Sequence, residues 1–315
     1  MSIRKLALAM GFAAAAAFTT VSAEAQTELT FGHVGEPGSL FEASANHFAE
    51  VANAKLAGTG YSVATYGSSQ LGKDSELLSK LKLGTVDFAL PSSVMSSVAP
   101  EFGVFEMPYL VKDRDHMKRI EAEVFWPQIA PAAEAQGFKV LAIWENGFRH
   151  ITNNVRPITV PDDLKGIKLR TPKGEWRVKM FQSYGANPTP MAFSEVFVAL
   201  QTGVIDGQEN PFAQITSAKF QEVQKYLSLT GHVYTPAYIT VGVNKFSSLP
   251  ENVQALLSEA AKETQAFVYE TAANLEVELL QVLKDGGMAV NDADKDAFVK
   301  ASAGIYEEFA TQVPG

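Results

Sequence analysis

The chain has 315 residues, of which 46% are hydrophobic and 19% charged, with a net charge of −9 and no cysteine. The missing cysteines exclude disulfides, thiolate metal sites and cysteine nucleophiles. The acidic balance argues against nucleic acid, which is bound by clustered Lys and Arg, and against anionic membrane surfaces.

The first residues have the layout of a secretory signal peptide. Arg4 and Lys5 precede an uncharged apolar run, Leu6 to Phe18, and small residues follow at Val21-Ser22-Ala23 and Ala23-Glu24-Ala25. Either triplet suits cleavage. The run is shorter than the ~20 apolar residues that span a bilayer. Residues 1–25 are therefore read as a cleaved signal, and the rest as an exported chain with no direct membrane insertion.

From Leu29 onward the pattern is α/β. Short β-rich segments, such as Tyr61 to Tyr66 and Val140 to Trp144, alternate with amphipathic stretches. One unit occurs twice. Leu81-Lys82-Leu83-Gly84-Thr85-Val86-Asp87 is echoed by Leu200-Gln201-Thr202-Gly203-Val204-Ile205-Asp206. In both, a helix ends at a glycine suited to the left-handed C′ position, and a short strand and a polar loop follow. Two similar lobes would give this, each with a loop at the carboxyl end of a strand, where open α/β sheets bind ligands. In the second helix Phe193, Val196, Phe197 and Leu200 form one stripe, and Phe193 at its edge either packs in the core or lines a cleft. From Pro250 to Asp285 few breakers occur before Gly286-Gly287. The segment is either one helix of roughly 50 Å crossing both lobes or two helices with a tight turn.

Catalytic signatures do not appear. There is no nucleophile elbow, P-loop, dinucleotide fingerprint or His-Glu-x-x-His, and the five histidines lack ligand spacing. No enzyme activity, metal or cofactor is expected. Two arginines are candidates for holding an anion. Arg170 closes a β-like run just before Thr171-Pro172, which ends the strand; Arg149 lies in Gly147-Phe148-Arg149-His150. A guanidinium grips a carboxylate through two charge-assisted hydrogen bonds, although a structural ion pair accounts for most arginines. Asn210, before Pro211, is either an amide for a ligand or a turn residue.

Longer segments are more specific. Pro188-Thr189-Pro190-Met191-Ala192-Phe193-Ser194-Glu195-Val196-Phe197 leads to Asp206-Gly207-Gln208-Glu209-Asn210-Pro211, with Gly67-Ser68-Ser69-Gln70-Leu71-Gly72 and Leu169-Arg170-Thr171-Pro172 elsewhere. Through these the chain resembles the periplasmic solute-binding proteins of TRAP transporters, the group containing dicarboxylate and sialic-acid receptors. The resemblance implies a two-lobed α/β fold braced by a long helix, with lobe I at 26–146 plus 236–274 and lobe II at 147–235 plus 275–315. It implies a small organic acid held between closing lobes, with Arg170 as the principal carboxylate partner, Arg149 and Asn210 assisting, and Phe193 packed on the ligand. Asp74, Lys173, Ser92 and Glu36 match or neighbour further cleft positions. Ser92 and Val34 depart from the sialic-acid pattern, which argues against sialic acid; the ligand expected is a sugar acid or a C4-dicarboxylate, with an aromatic or keto acid as the alternative. Trp144, Trp176 and Phe148 either wall the cleft or fill the core. The partners implied are TRAP permease subunits, or alternatively a signalling kinase; the state expected is a periplasmic monomer.

Overall fold

The computed structural model describes residues 26–313; the signal segment read at 1–25 lies outside them. The described strands are β1 (Thr27–Gly32), β2 (Tyr61–Tyr66), β3 (Phe88–Ala89), β4 (Phe138–Phe148), β5 (His150–Asn153), β6 (Lys168–Thr171), β7 (Asn187–Pro190), β8 (Gly207–Asn210), β9 (Tyr226–Leu229), β10 (Tyr234–Gly242) and β11 (Ala289–Asp292). They form a five-stranded sheet, β2-β1-β3-β10-β4, and a six-stranded sheet, β11-β9-β5-β8-β6-β7.

The repeated sequence unit is a structural repeat. β1 runs parallel to β2 and β3 in the first sheet, as β6 does to β7 and β8 in the second. Helices Asp74–Leu83 and Val196–Gln201 lead to Gly84 and Gly203, with φ of 70° and 72°. Only glycine reaches that left-handed region without steric cost. The acidic residues that follow do the same work: Asp87 Oδ2 accepts from the Thr30 N–H at 2.8 Å, and Asp206 Oδ2 accepts from the Lys168 N–H at 2.8 Å.

The larger buried cluster runs from the first sheet to Leu200 and Leu227 of the second half, and a smaller one lies against the second sheet alone. Phe31, Phe48, Phe88 and Trp144 cluster under the first, and the Trp144 indole donates to the Ala261 carbonyl at 3.0 Å. Leu169, Phe181, Tyr184 and Phe298 are buried under the second. Each such side chain contributes about 1.5–3 kcal/mol on burial. Trp176 packs edge-on against Phe309, so both tryptophans fill cores. Phe148, half-buried, stacks edge-on against Tyr234.

The chain crosses between sheets at Arg149, which joins β4 to β5, and returns from β9 to β10. At the crossing the Arg149 N–H donates to the Val233 carbonyl at 2.9 Å. The third link is one continuous helix, Glu251–Asp285, of 35 residues. Val253, Leu257, Ala260, Ala261, Thr264 and Val268 bury one face at helical spacing. The helix packs on Leu40–Lys55 in the first half and on Phe212–Ser217 in the second. Those contacts on both sides keep the segment straight, where sequence pattern alone allowed a break. Gly287, with φ of 91°, turns the chain into β11.

Candidate functional site

Between the sheets lies a cavity of about 320 Å³. That is near the small end of the ~300–1,000 Å³ typical of small-molecule sites.

Arg170, second to last in β6, is 3% exposed and lines this cavity. Its Nε and Nη2 both donate to the Met191 carbonyl, at 2.9 and 2.7 Å, and it has no carboxylate within ion-pair distance among the described residues. Burial, then the neighbouring positive charge of Arg149, pushes Arg170 down to about 10, so it stays charged at neutral pH. Asn210 ends β8 on the same wall. Its amide donates to Gln208 Oε1 at 2.5 Å, and Gln208 donates to Thr152 at 2.9 Å, a buried chain that fixes the side chain's direction. Phe193 is 8% exposed, edge-on to Phe220 at 5.8 Å while also lining the cavity. Both of its open roles are therefore filled at once.

Arg149 also lines the cavity, but Glu209 holds it. Nε donates to Glu209 Oε2 at 2.5 Å, and Nη2 donates to Oε1 at 2.9 Å and to the Glu209 carbonyl at 2.6 Å. Oε2 of Glu209 further accepts from Arg177 at 2.7 Å and meets His232 Nε2 at 3.0 Å. Burial alone would raise the Glu209 carboxyl, yet Arg149 and Arg177 hold it well below its ordinary value. His232 is lowered by burial despite Glu209; its Nε2 faces the carboxylate and its Nδ1 lies 2.8 Å from Thr230 Oγ1. Arg177 reaches on to Glu106 at 2.8 Å. Arg149 and Arg177 thus pair directly with Glu209 and Glu106, whereas Arg170 pairs directly with no carboxylate and feels Glu209 and Asp74 only at longer range.

The opposite wall comes from the first half. Asp74 opens the helix Asp74–Leu83; burial raises its carboxyl, and Arg170 opposes that rise. Ser92 Oγ donates to the Pro236 carbonyl at 2.6 Å and accepts from Asn146 at 3.3 Å. Lys173 is exposed and reaches the rim. Glu36 is not among the lining residues. Its loop folds back on Gly67 to Ser69, and its carboxylate accepts from Ser68 Oγ at 2.7 Å. Glu36 thus stands apart from the residues gathered around the cavity.

Sequence reasoning missed Glu209, Arg177, Glu106 and His232, and also Lys73, Glu195, Asn146 and Gln214, which line the cavity. Glu209 had a signal in its motif beside Asn210. The others carried none, because their partners lie far away in sequence. Among the described residues no group of three or more His, Asp or Glu is placed to hold a metal ion, and no helix is long and apolar enough to cross a membrane. The cavity thus brings together a guanidinium with no ion-pair partner, the Phe193 ring and several polar side chains.

A two-sheet fold closed on such a cavity defines a solute receptor, and residues 31–312 match bacterial extracellular solute-binding protein family 7, DctP. The chain belongs to this family, the periplasmic solute-binding proteins of TRAP transporters, which is a family of receptors, not enzymes. It is 32% identical over 317 residues to the 2,3-diketo-L-gulonate-binding periplasmic protein YiaO of Escherichia coli K12, covering 100% of this chain and 96% of that one. A TRAP solute-binding protein from Bordetella bronchispeptica, whose crystal density was assigned to pantoate, superposes with a TM-score of 0.88 at 37% identity, covering 92% of this chain and 96% of that one. Another, from Polaromonas sp. JS666 bound to D-erythronate, gives a TM-score of 0.87 at 34% identity, with 91% and 95% covered.

Proposed function

We propose that this chain is a periplasmic receptor for a hydroxylated monocarboxylate of the sugar-acid class, which it presents to TRAP permease subunits. The observation that carries the reading is the charge left on Arg170. Arg149 is engaged by Glu209 and Lys73 by Glu195, so Arg170 is the buried cation free to pair directly with a ligand carboxylate. Asp74, Ser92, Asn146 and Gln214 then face the remainder of the ligand, where hydroxyls match their donors and acceptors. The ligands named for the three similar proteins are all monocarboxylates bearing hydroxyl or keto groups.

In this reading, lobe I (26–146 plus 236–274) and lobe II (147–235 plus 275–315) close over the acid, which shifts the population toward the closed state. Arg149 and Asn210 support Arg170, Phe193 packs on the carbon chain, and Lys173 stays at the rim. The receptor is a monomer, exported by cleavage of residues 1–25. Calorimetry of the mature protein against D-erythronate, 2,3-diketo-L-gulonate, pantoate and succinate tests the proposal. Micromolar or tighter binding of a hydroxy acid supports it; binding of none of the hydroxy acids refutes it.

A further inference from the structure

Lys73 Nζ and Glu195 Oε1 meet 2.5 Å apart at the cavity wall. Lys73 lies between β2 and β3 of the first sheet, and Glu195 between β7 and β8 of the second. Both sit at the start of the matching helical segments of the repeat: Lys73 is the N-cap of the helix that leads to Gly84, and Glu195 ends the first turn, Phe193–Glu195, that runs into the helix leading to Gly203. The ion pair therefore ties the first turns of two corresponding helical segments across the cleft.

By local rules the lysine is misplaced. A helix N-terminus carries partial positive charge and favours Ser, Thr, Asp or Asn at the cap. Lys73 makes no side-chain cap, and its own N–H is taken by the Glu76 carboxylate at 3.0 Å. A residue that breaks a local rule points to an offsetting role elsewhere. Glu195 supplies the offset: the hydrogen bond from Lys73 lowers the Glu195 carboxyl, and Glu195 raises the Lys73 ammonium.

We infer that Lys73 and Glu195 form a latch, made when the halves close and broken when they part, that governs how long the ligand stays. The inference deepens the receptor reading and rests on it. The side chains are 43% and 48% exposed, so the attraction is modest and is weakened by salt. A modest preference for the closed state multiplies its population by a small factor, a scale that still permits release.

Two readouts test the latch. The first is stopped-flow dissociation of D-erythronate, or of whichever sugar acid the wild type binds. Lys73→Glu and Glu195→Lys should each raise the dissociation rate roughly three- to ten-fold at low salt. The double swap Lys73→Glu/Glu195→Lys should restore it to within about two-fold, and 1 M salt should shrink the differences. Unchanged rates in the single variants, or a swap that fails to restore, overturn the latch; the latter marks direct contact with ligand instead. The second readout is the distance between spin labels on the two halves without ligand. The reversed variants should lose closed-distance population and the swap should regain it; an unaltered distribution also overturns the latch. If the wild type binds no sugar acid, the receptor reading fails, and the distance readout still judges the latch by itself.

Discussion

Arg170 holds its position by gripping the main chain: its Nε and Nη2 converge on the carbonyl oxygen of Met191. Met191 is itself held by donating its N–H to Thr171, the next residue along β6, at 3.1 Å. The guanidinium is thereby aimed by backbone atoms that cost it no charge, and its positive charge remains for a ligand.

Arg170→Ala should therefore remove carboxylate binding without harming the fold. Loss of one partner of a buried ion pair costs about 3–5 kcal/mol, which is at least ~100-fold in affinity. The ligand-free protein should melt at the same temperature or higher, because Arg170 is a buried cation beside Arg149 that has no ion-pair partner among the described residues. Calorimetry with a bound sugar acid and thermal melting of the apo protein check the two halves of this outcome. Arg170→Lys should recover little, since an ammonium cannot reproduce the planar fork.

Glu209→Gln should behave in the opposite way. Its carboxylate is shared by Arg149, Arg177 and His232, and neutralising it leaves two guanidiniums buried beside each other. The expected cost is about 3–5 kcal/mol of stability, a fall in Tm on the order of 10 °C for a chain of this size. Glu308→Gln, whose carboxylate meets Lys179 and Gln312 near the surface, should shift the melt far less. Equal melts for the two variants would remove Glu209 as the centre of the charge cluster.

The legible features were those set by local chemistry. Gly84 and Gly203 announced their helix ends because a left-handed residue is needed there, and Thr171-Pro172 announced the end of the strand that carries Arg170. The continuity of the long helix was only half legible, since packing on both halves, not helix propensity, keeps it unbroken. The cluster around Glu209 was opaque because Arg177 and His232 lie 32 and 23 residues from it. Lys73 and Glu195 are 122 residues apart, and only the fold brings them together. The place of Glu36 was not legible either, because a loop beside the cleft can turn its side chain back onto its neighbours, as Ser68 holds it here.

Acid should expose a histidine contribution to stability. Burial lowers His33 to about 4 and His150 to about 3, against about 6.5 in an unfolded chain. Below that value the unfolded chain takes up protons that the folded one refuses. The stability from these neutral rings is thus complete above about pH 6.5 and is lost as pH falls toward about 4 and 3. Burial raises the carboxyls of Glu106 and Asp74 and so works in the other direction. The histidine effect is therefore read as a difference between chains. Between pH 7 and 5 the Tm of His150→Gln should fall less than that of the wild type; an equal or steeper fall would contradict a neutral His150.

Ligand choice follows from the same accounting of charge. Lys73 is taken by Glu195 and Arg149 by Glu209, while Asp74 adds negative charge to the wall facing Arg170. A second carboxylate would find only exposed Lys173 at the rim, in a place where water screens the attraction, and would meet Asp74 on the way. A hydroxyl there meets acceptors and donors it can satisfy. Removing a charged group's water without a partner costs more than removing a hydroxyl's. D-erythronate and succinate each have a four-carbon skeleton, so their comparison isolates the distal group. The wild type should bind D-erythronate at least ~10-fold more tightly, a gap of about 1.4 kcal/mol. Asp74→Asn should narrow that gap by improving succinate and weakening erythronate. Competition calorimetry on both proteins measures it, and a wild type that prefers succinate would show that Lys173, or a Lys73 released from Glu195, serves as a second anchor.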